Sequence, residues 1–153
     1  MRKILALGPS LALLMIASGP VAAQGNADTN QLAEKLGQCL VDNSTGADRI
    51  AVAGWMLAAI ASAPQLKDVA VVTPAKKEQL DRGMAAVFTR LMTKDCPAQA
   101  QALIATQDQS GFEVAGGALG KIAMQELLGN PASQRAIGEY TRYLNRADFS
   151  GVM

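Results

Sequence analysis

The chain contains no histidine among its 153 residues. That absence removes the Ser-His-Asp triad, the histidine-paired cysteine nucleophile and the commonest zinc and copper ligand. Aromatic residues are also scarce, at 4%. Stacking platforms for single strands or sugars are therefore not expected. Basic residues never cluster beyond the pair Lys76-Lys77. The formal charge is +1, and it becomes about −1 if Arg2 and Lys3 are removed. Such a balance gives no electrostatic reason to expect nucleic acid or an acidic membrane surface as partner. No strand–glycine–helix pattern or metal-ligand spacing calls for a cofactor or metal.

What is present begins at the N-terminus. Arg2 and Lys3 precede an apolar run, Ile4 to Ile16, broken only by Gly8, Pro9 and Ser10. Ser18-Gly19-Pro20 breaks a helix, and Val21-Ala22-Ala23 sets small residues at the −1 and −3 positions. These are the three parts of a secretory signal peptide, with cleavage expected after Ala23. A membrane anchor needs about 20 continuous apolar residues, more than this run supplies. Gln24 in place of a cysteine argues against a lipoprotein. The expected product is a periplasmic or secreted chain of 130 residues, enough for one domain with a real core and without a stable membrane span.

Cys39 and Cys96 are the only cysteines. Two cysteines in an oxidising compartment predict a disulfide. The alternatives are a reactive thiol pair and half a metal site. The spacing is far from C-x-x-C, and no histidine completes a zinc set.

Along the mature chain, residues 24–30 are polar and small and predict a disordered lead. A helical domain is expected over 31–146, with a frayed tail over 147–153. Leu32, Leu36, Cys39 and Leu40 mark one face of a first helix from about Gln31 to Val41. Thr45 and Asp48 have capping-box spacing and open a second helix, which stops at Pro64. That helix is apolar nearly all round and is expected at the centre of the fold. Residues 64–72 predict a loop with one helical turn, and Thr73-Pro74 opens a third helix. Asp95 caps a fourth, and Ser110 with Glu113 opens a fifth that ends near Gly129. Asn130-Pro131 begins a sixth, on which Ile137, Tyr140, Thr141 and Leu144 share a face. The pattern predicts an all-α fold, a compact bundle of five to six short helices with one disulfide.

Several features invite a functional reading. The turn that contains Asp42, Asn43, Thr45, Asp48 and Arg49 is the densest polar cluster, a candidate site for a cation or partner. No bidentate Glu follows at calcium-loop spacing, and turn building plus helix capping account for the same residues. Asn43-Ser44-Thr45 is also a glycosylation sequon. Trp55 reads either as an exposed anchor or as core with its indole N–H on a carbonyl, the second being the more common arrangement. Gly116 and Gly120, four apart, predict close helix crossing within the bundle, or at the seam of a weak homodimer of an otherwise monomeric chain. A phosphate-cradling loop would need a preceding strand. Glu113, Glu126, Glu139 and Asp108 read as solvated faces or as a carboxylate pair for glycoside hydrolysis. Arg135, Arg142 and Arg146 form a modest basic face.

One resemblance can be stated. Gln38-Cys39-Leu40, Asp42-Asn43-x-Thr45-Gly46-x-Asp48-Arg49, Trp55 and Pro64 together resemble the opening of a family of small exported, uncharacterised helical proteins of proteobacteria. The resemblance covers residues 38–64. It implies the same fold and export route and carries no catalytic residues with it.

The functional expectation is an exported helical binding or interaction protein without catalytic activity. It would hold an unknown protein or a small apolar ligand. Two alternatives are a periplasmic acid-stress chaperone-like protein, a class that is also small, helical and single-disulfide but shorter, and a toxin-immunity protein, a class that shares size and compartment. A third is a carboxylate-based hydrolase acting on cell-wall glycan.

Overall fold

The computed structural model describes residues 21–152. Six α-helices are present among them: α1 (Val21–Asn43), α2 (Gly46–Ala61), α3 (Pro74–Arg90), α4 (Pro97–Ile104), α5 (Ser110–Leu128) and α6 (Pro131–Gly138). There is no strand among the described residues. The expected signal segment lies outside them up to residue 20. The compact all-α bundle with one disulfide is as expected, and α1 alone is much longer than its apolar stripe predicted.

Helix α5 is the hub. It packs along α1 on one side and α2 on the other. Ala33, Leu36 and Leu40 of α1 are buried with Ala115, Leu119 and Ala123 of α5. Leu91, Cys96, Ala100 and Leu103 complete that core from the α3–α4 region. The expectation that α2 would be central is therefore corrected. Helix α2 buries Val52, Ala53 and Ala58, but Ile50, Leu57 and Ile60 are about half exposed. Its alanines make it apolar all round without providing enough bulk to draw neighbours onto every side.

The start of α1 also differs from expectation. Residues 24–30, read as a disordered lead, are helical. Thr29 is buried, and a Cβ built on Gly111 would meet its Cγ2 at 3.2 Å. Docking against the start of α5 thus extends the helix beyond its apolar stripe, as tertiary packing commonly does.

Local signals set several boundaries. Thr45 accepts from the backbone N–H of Asp48, whose side chain accepts from the Thr45 N–H, a complete capping box. Thr73 caps α3 through the Lys76 N–H, and Asn130 caps α6 through Ala132, each with proline following. Two expected caps fail. Helix α4 is capped at Cys96 without a side-chain bond, because Asp95 pairs with Arg90 instead. Ser110 does not cap α5, since its N–H and hydroxyl both donate to Asp108 Oδ1.

Between α3 and α4 the chain makes one π-turn, Leu91–Asp95, closed by the Cys96 N–H on the Leu91 carbonyl at 2.8 Å. It delivers Cys96 to Cys39 with 6.0 Å between their Cα atoms. The disulfide joins the end of α1 to the start of α4, as expected.

The last segment packs little. Helix α6 ends at Gly138 and gives way to a 3₁₀ turn over Glu139–Tyr143, then another over Arg146–Phe149, which runs into the expected tail. None of these elements has a buried residue. Ile137, Tyr140 and Leu144 are 56%, 61% and 44% exposed, so the face they were expected to share is not part of the core.

Candidate functional site

Helix α2 packs against both α3 and α5, while α3 and α5 stay apart. The gap between them is an apolar cleft of about 430 Å³, within the usual range for small-ligand sites. Trp55 and Met56 line it from α2, Met84 and Phe88 from α3, Phe112 and Met124 from α5. The sole tryptophan and two of the three phenylalanines therefore meet in one place.

The cleft exists because α5 carries glycines over part of the face it turns to α2 and α3. Gly116, Gly117 and Gly120 form its floor. A Cβ added at Gly116 or Gly117 would meet nothing within 4 Å. At Gly120 it would lie 3.3 Å from Met56 Sδ, so this glycine seats the α2 side chain against α5. The pair Gly116 and Gly120 is thus split. Gly120 mediates a close approach, and Gly116 leaves a void. The tightest α1–α5 approach uses a glycine that the sequence reading did not single out. A Cβ on Gly37 would lie 3.0 Å from Ala118 Cβ and 3.4 Å from Ala115 Cα.

Trp55 is partly buried and forms one wall of the cleft. Its indole N–H donates to Asp81 Oδ1 at 3.1 Å, a carboxylate where a carbonyl was expected. Lys77 Nζ holds Asp81 Oδ2 at 2.7 Å. The Lys77 bond, opposed by slight desolvation and helped by the Trp55 N–H, holds the Asp81 carboxyl below its ordinary value. Two rotatable side chains thereby fix the indole relative to α3.

Two charged residues stand on the rim, Glu113 and Lys121, both from α5 and both exposed. Neither takes part in an ion pair among the described residues. A second, shallower groove of about 650 Å³ lies between α2 and the α3 approach, walled by Leu57, Val71, Val72 and Leu80. It contains no tryptophan, phenylalanine or methionine.

The polar cluster lies at the α1–α2 turn, at the start of α2. Asp42 accepts from Gln38 at 2.7 Å, and Asn43 donates to the Cys39 carbonyl at 2.9 Å. Thr45 and Asp48 make the capping box. Arg49 donates to the Ser44 carbonyl and pairs with Glu126 of α5 at 3.4 Å. Arg90, at the end of α3, donates to Asp48 Oδ2 at 2.7 Å and to Asp95 beside the disulfide. Burial raises the Asp48 carboxyl, but the Thr45 hydroxyl and N–H and the Arg90 guanidinium outweigh it and leave the group below its ordinary value. Each of the five candidate residues therefore has a partner that fixes the turn or ties helices together. Arg90, which organises this clasp, was invisible in the sequence because its two partners lie 42 and 5 residues away and on different elements.

The two candidate acids of α5 are far apart. Glu113 and Glu126 are thirteen residues apart on α5, about 20 Å along the axis. Glycosidase pairs lie about 5 to 9.5 Å apart. Glu126 is engaged by Arg49, Asp108 by Ser110, and Glu139 lies in the exposed 3₁₀ turn. The Ser110 hydroxyl and N–H also hold the Asp108 carboxyl below its ordinary value. Among the described residues, no three of His, Cys, Asp and Glu gather closely enough to hold a metal ion, and no helix is long and apolar enough to cross a membrane.

No protein-family model matches the chain, and comparison with curated proteins and with solved structures finds no significant match.

Proposed function

We propose that this chain is an exported binding protein that holds a small apolar ligand in the cleft between α2, α3 and α5, without catalysing a reaction. The observation that carries the reading is the composition of that cleft. Aromatic and thioether side chains from three helices converge on a floor of glycines, and the floor has room to spare. Methionine is flexible and polarisable, which suits an adaptable apolar site. Export to the periplasm or outside rests on the N-terminal pattern of Arg2-Lys3, apolar run and Val21-Ala22-Ala23, and a disulfide fits that route.

The test uses a neutral apolar dye, N-phenyl-1-naphthylamine, with Trp55 as the internal donor. Saturable binding with energy transfer from Trp55 is expected. Gly116→Leu should abolish it and keep the helical circular dichroism, because the new side chain enters open space. Absence of saturable uptake, or unchanged uptake in Gly116→Leu, overturns the reading. Export is tested separately, by cell fractionation and N-terminal sequencing, with Gln24 expected as the first residue.

A further inference from the structure

A residue of opposite charge borders each end of the cleft's glycine floor. Glu113 sits in the first turn of α5 and Lys121 eight residues later, about 12 Å further along the axis. Gly116, Gly117 and Gly120 occupy the stretch between them, and the apolar stems of both residues line the same cleft, which leaves their exposed charged ends free to reach a head group at its mouth. Neither has an ion-pair partner among the described residues, in contrast to Arg49, Lys77, Arg82 and Arg90, which all do. A long apolar molecule lying on the glycine floor would thus meet a cation toward one end and a carboxylate at the other.

Resting on the ligand-binding reading above, we infer that the cleft is built for a linear amphiphile with one anionic head, a medium-chain alkyl carboxylate, oriented with its head on Lys121 and its tail along Gly117 and Gly116 toward Phe112. An anionic head gains a charge-assisted hydrogen bond from Lys121, and Glu113 repels it from the opposite end, so one orientation is selected. A cationic head is repelled at Lys121, and at Glu113, in the first turn of α5, it would meet the positive end of the helix dipole that this carboxylate already offsets. The wall residues Met56, Met84 and Phe112 give the tail contact without polar interruption. Affinity should then grow about fourfold per methylene until the tail fills the cleft.

The experiment compares decanoate, decanol and decylamine, each below its micelle concentration, by Trp55 fluorescence and by displacement of N-phenyl-1-naphthylamine. The expected order is decanoate, then decanol, then decylamine. Lys121→Gln should weaken decanoate about three- to tenfold, to the level of decanol, and leave decanol unchanged. Lys121→Arg should retain the preference, and Glu113→Gln, which removes the one carboxylate on the cleft, should widen the discrimination against decylamine. Equal binding of acid and alcohol, tightest binding of the amine, or an undiminished preference in Lys121→Gln overturns the inference while leaving the apolar site intact. Failure of all three ligands and the dye to bind the unsubstituted protein overturns the site itself.

Discussion

The packing account of α5 is most exposed to test at its glycines, because two of them should respond to the same substitution with opposite sign. Both Gly37 and Gly116 lie inside helices, where alanine is intrinsically better by about 1 kcal/mol. At Gly116 the added methyl meets nothing within 4 Å, so the full propensity gain should appear. Gly116→Ala is expected to be more stable by about 0.5–1 kcal/mol, a rise in Tm of about 2–4 °C. At Gly37 the methyl would lie 3.0 Å from the Ala118 methyl and 3.4 Å from the Ala115 backbone. Backbone cannot rotate away, so α1 and α5 must separate. Overpacking of this kind typically costs about 1–3 kcal/mol, enough to reverse the propensity gain. Gly37→Ala should therefore be about 1–2 kcal/mol less stable, net of that gain. Urea unfolding followed by circular dichroism and by Trp55 fluorescence measures both, and m-values should match if only the folded state changes. Equal stabilisation by the two substitutions would refute the close α1–α5 crossing. Destabilisation by Gly116→Ala would mean that the cleft floor is occupied by packed side chains.

Three further outcomes follow from the same geometry. Replacing both cysteines, Cys39→Ala with Cys96→Ala, opens a closure of 57 residues, and the chain-entropy argument puts the loss at about 4 kcal/mol; a urea midpoint unchanged by the double substitution would contradict it. The Asp48 carboxyl is held below its ordinary 3.8, so its contribution is complete above that value and is lost as pH falls through the lower folded-state value; Asp48→Asn should flatten the acid limb of stability against pH, and an identical limb would remove the Asp48–Arg90 clasp from the account. Gln107 has a φ of 57°, a conformation that favours glycine, so Gln107→Gly should leave stability unchanged or raise it by up to about 1 kcal/mol, where a clear loss would show that the Gln107 side chain matters more than its backbone.

Local chemistry was the legible part of the sequence. Thr45 with Asp48, Thr73 with Pro74 and Asn130 with Pro131 each carry their cap and partner within a few residues, so spacing alone finds them. Cys39 with Cys96 was legible because only one pairing exists. Where a residue had a choice between a local and a distant partner, spacing misled. Asp95 looks like an N-cap, yet Arg90 takes it; Ser110 looks like one too, yet Asp108 takes it. The central position assigned to α2 followed from counting alanine as core-forming, while burial in this fold follows bulk and close approach. The helical start at 24–30 depends on Thr29 meeting Gly111, a contact 82 residues away in sequence that no local pattern contains. The cleft was illegible for a deeper reason. It is made by side chains that are absent on α5 and by the separation of α3 from α5.

That absence bears on function through stability. Gly116 and Gly117 sit mid-helix with open space above them. Each forgoes about 1 kcal/mol that alanine would contribute, and no close contact returns it. Gly37, Gly111 and Gly120 differ, since an added methyl would come within 3.4 Å of a neighbour, and their small size is accounted for by packing. A helix that gives up stability at two adjacent positions, both opening onto the one cleft that gathers Trp55, Phe88 and Phe112, fits the familiar opposition between stability and a working site. The opposition is measurable within a single series. From Gly116→Ala to Gly116→Val to Gly116→Leu, dye affinity should fall stepwise as side-chain volume fills the cleft, while stability stays at or above that of the unsubstituted protein. Affinity and stability falling together would show that the series damages the fold, and the glycine floor would then have no claim to be a binding surface.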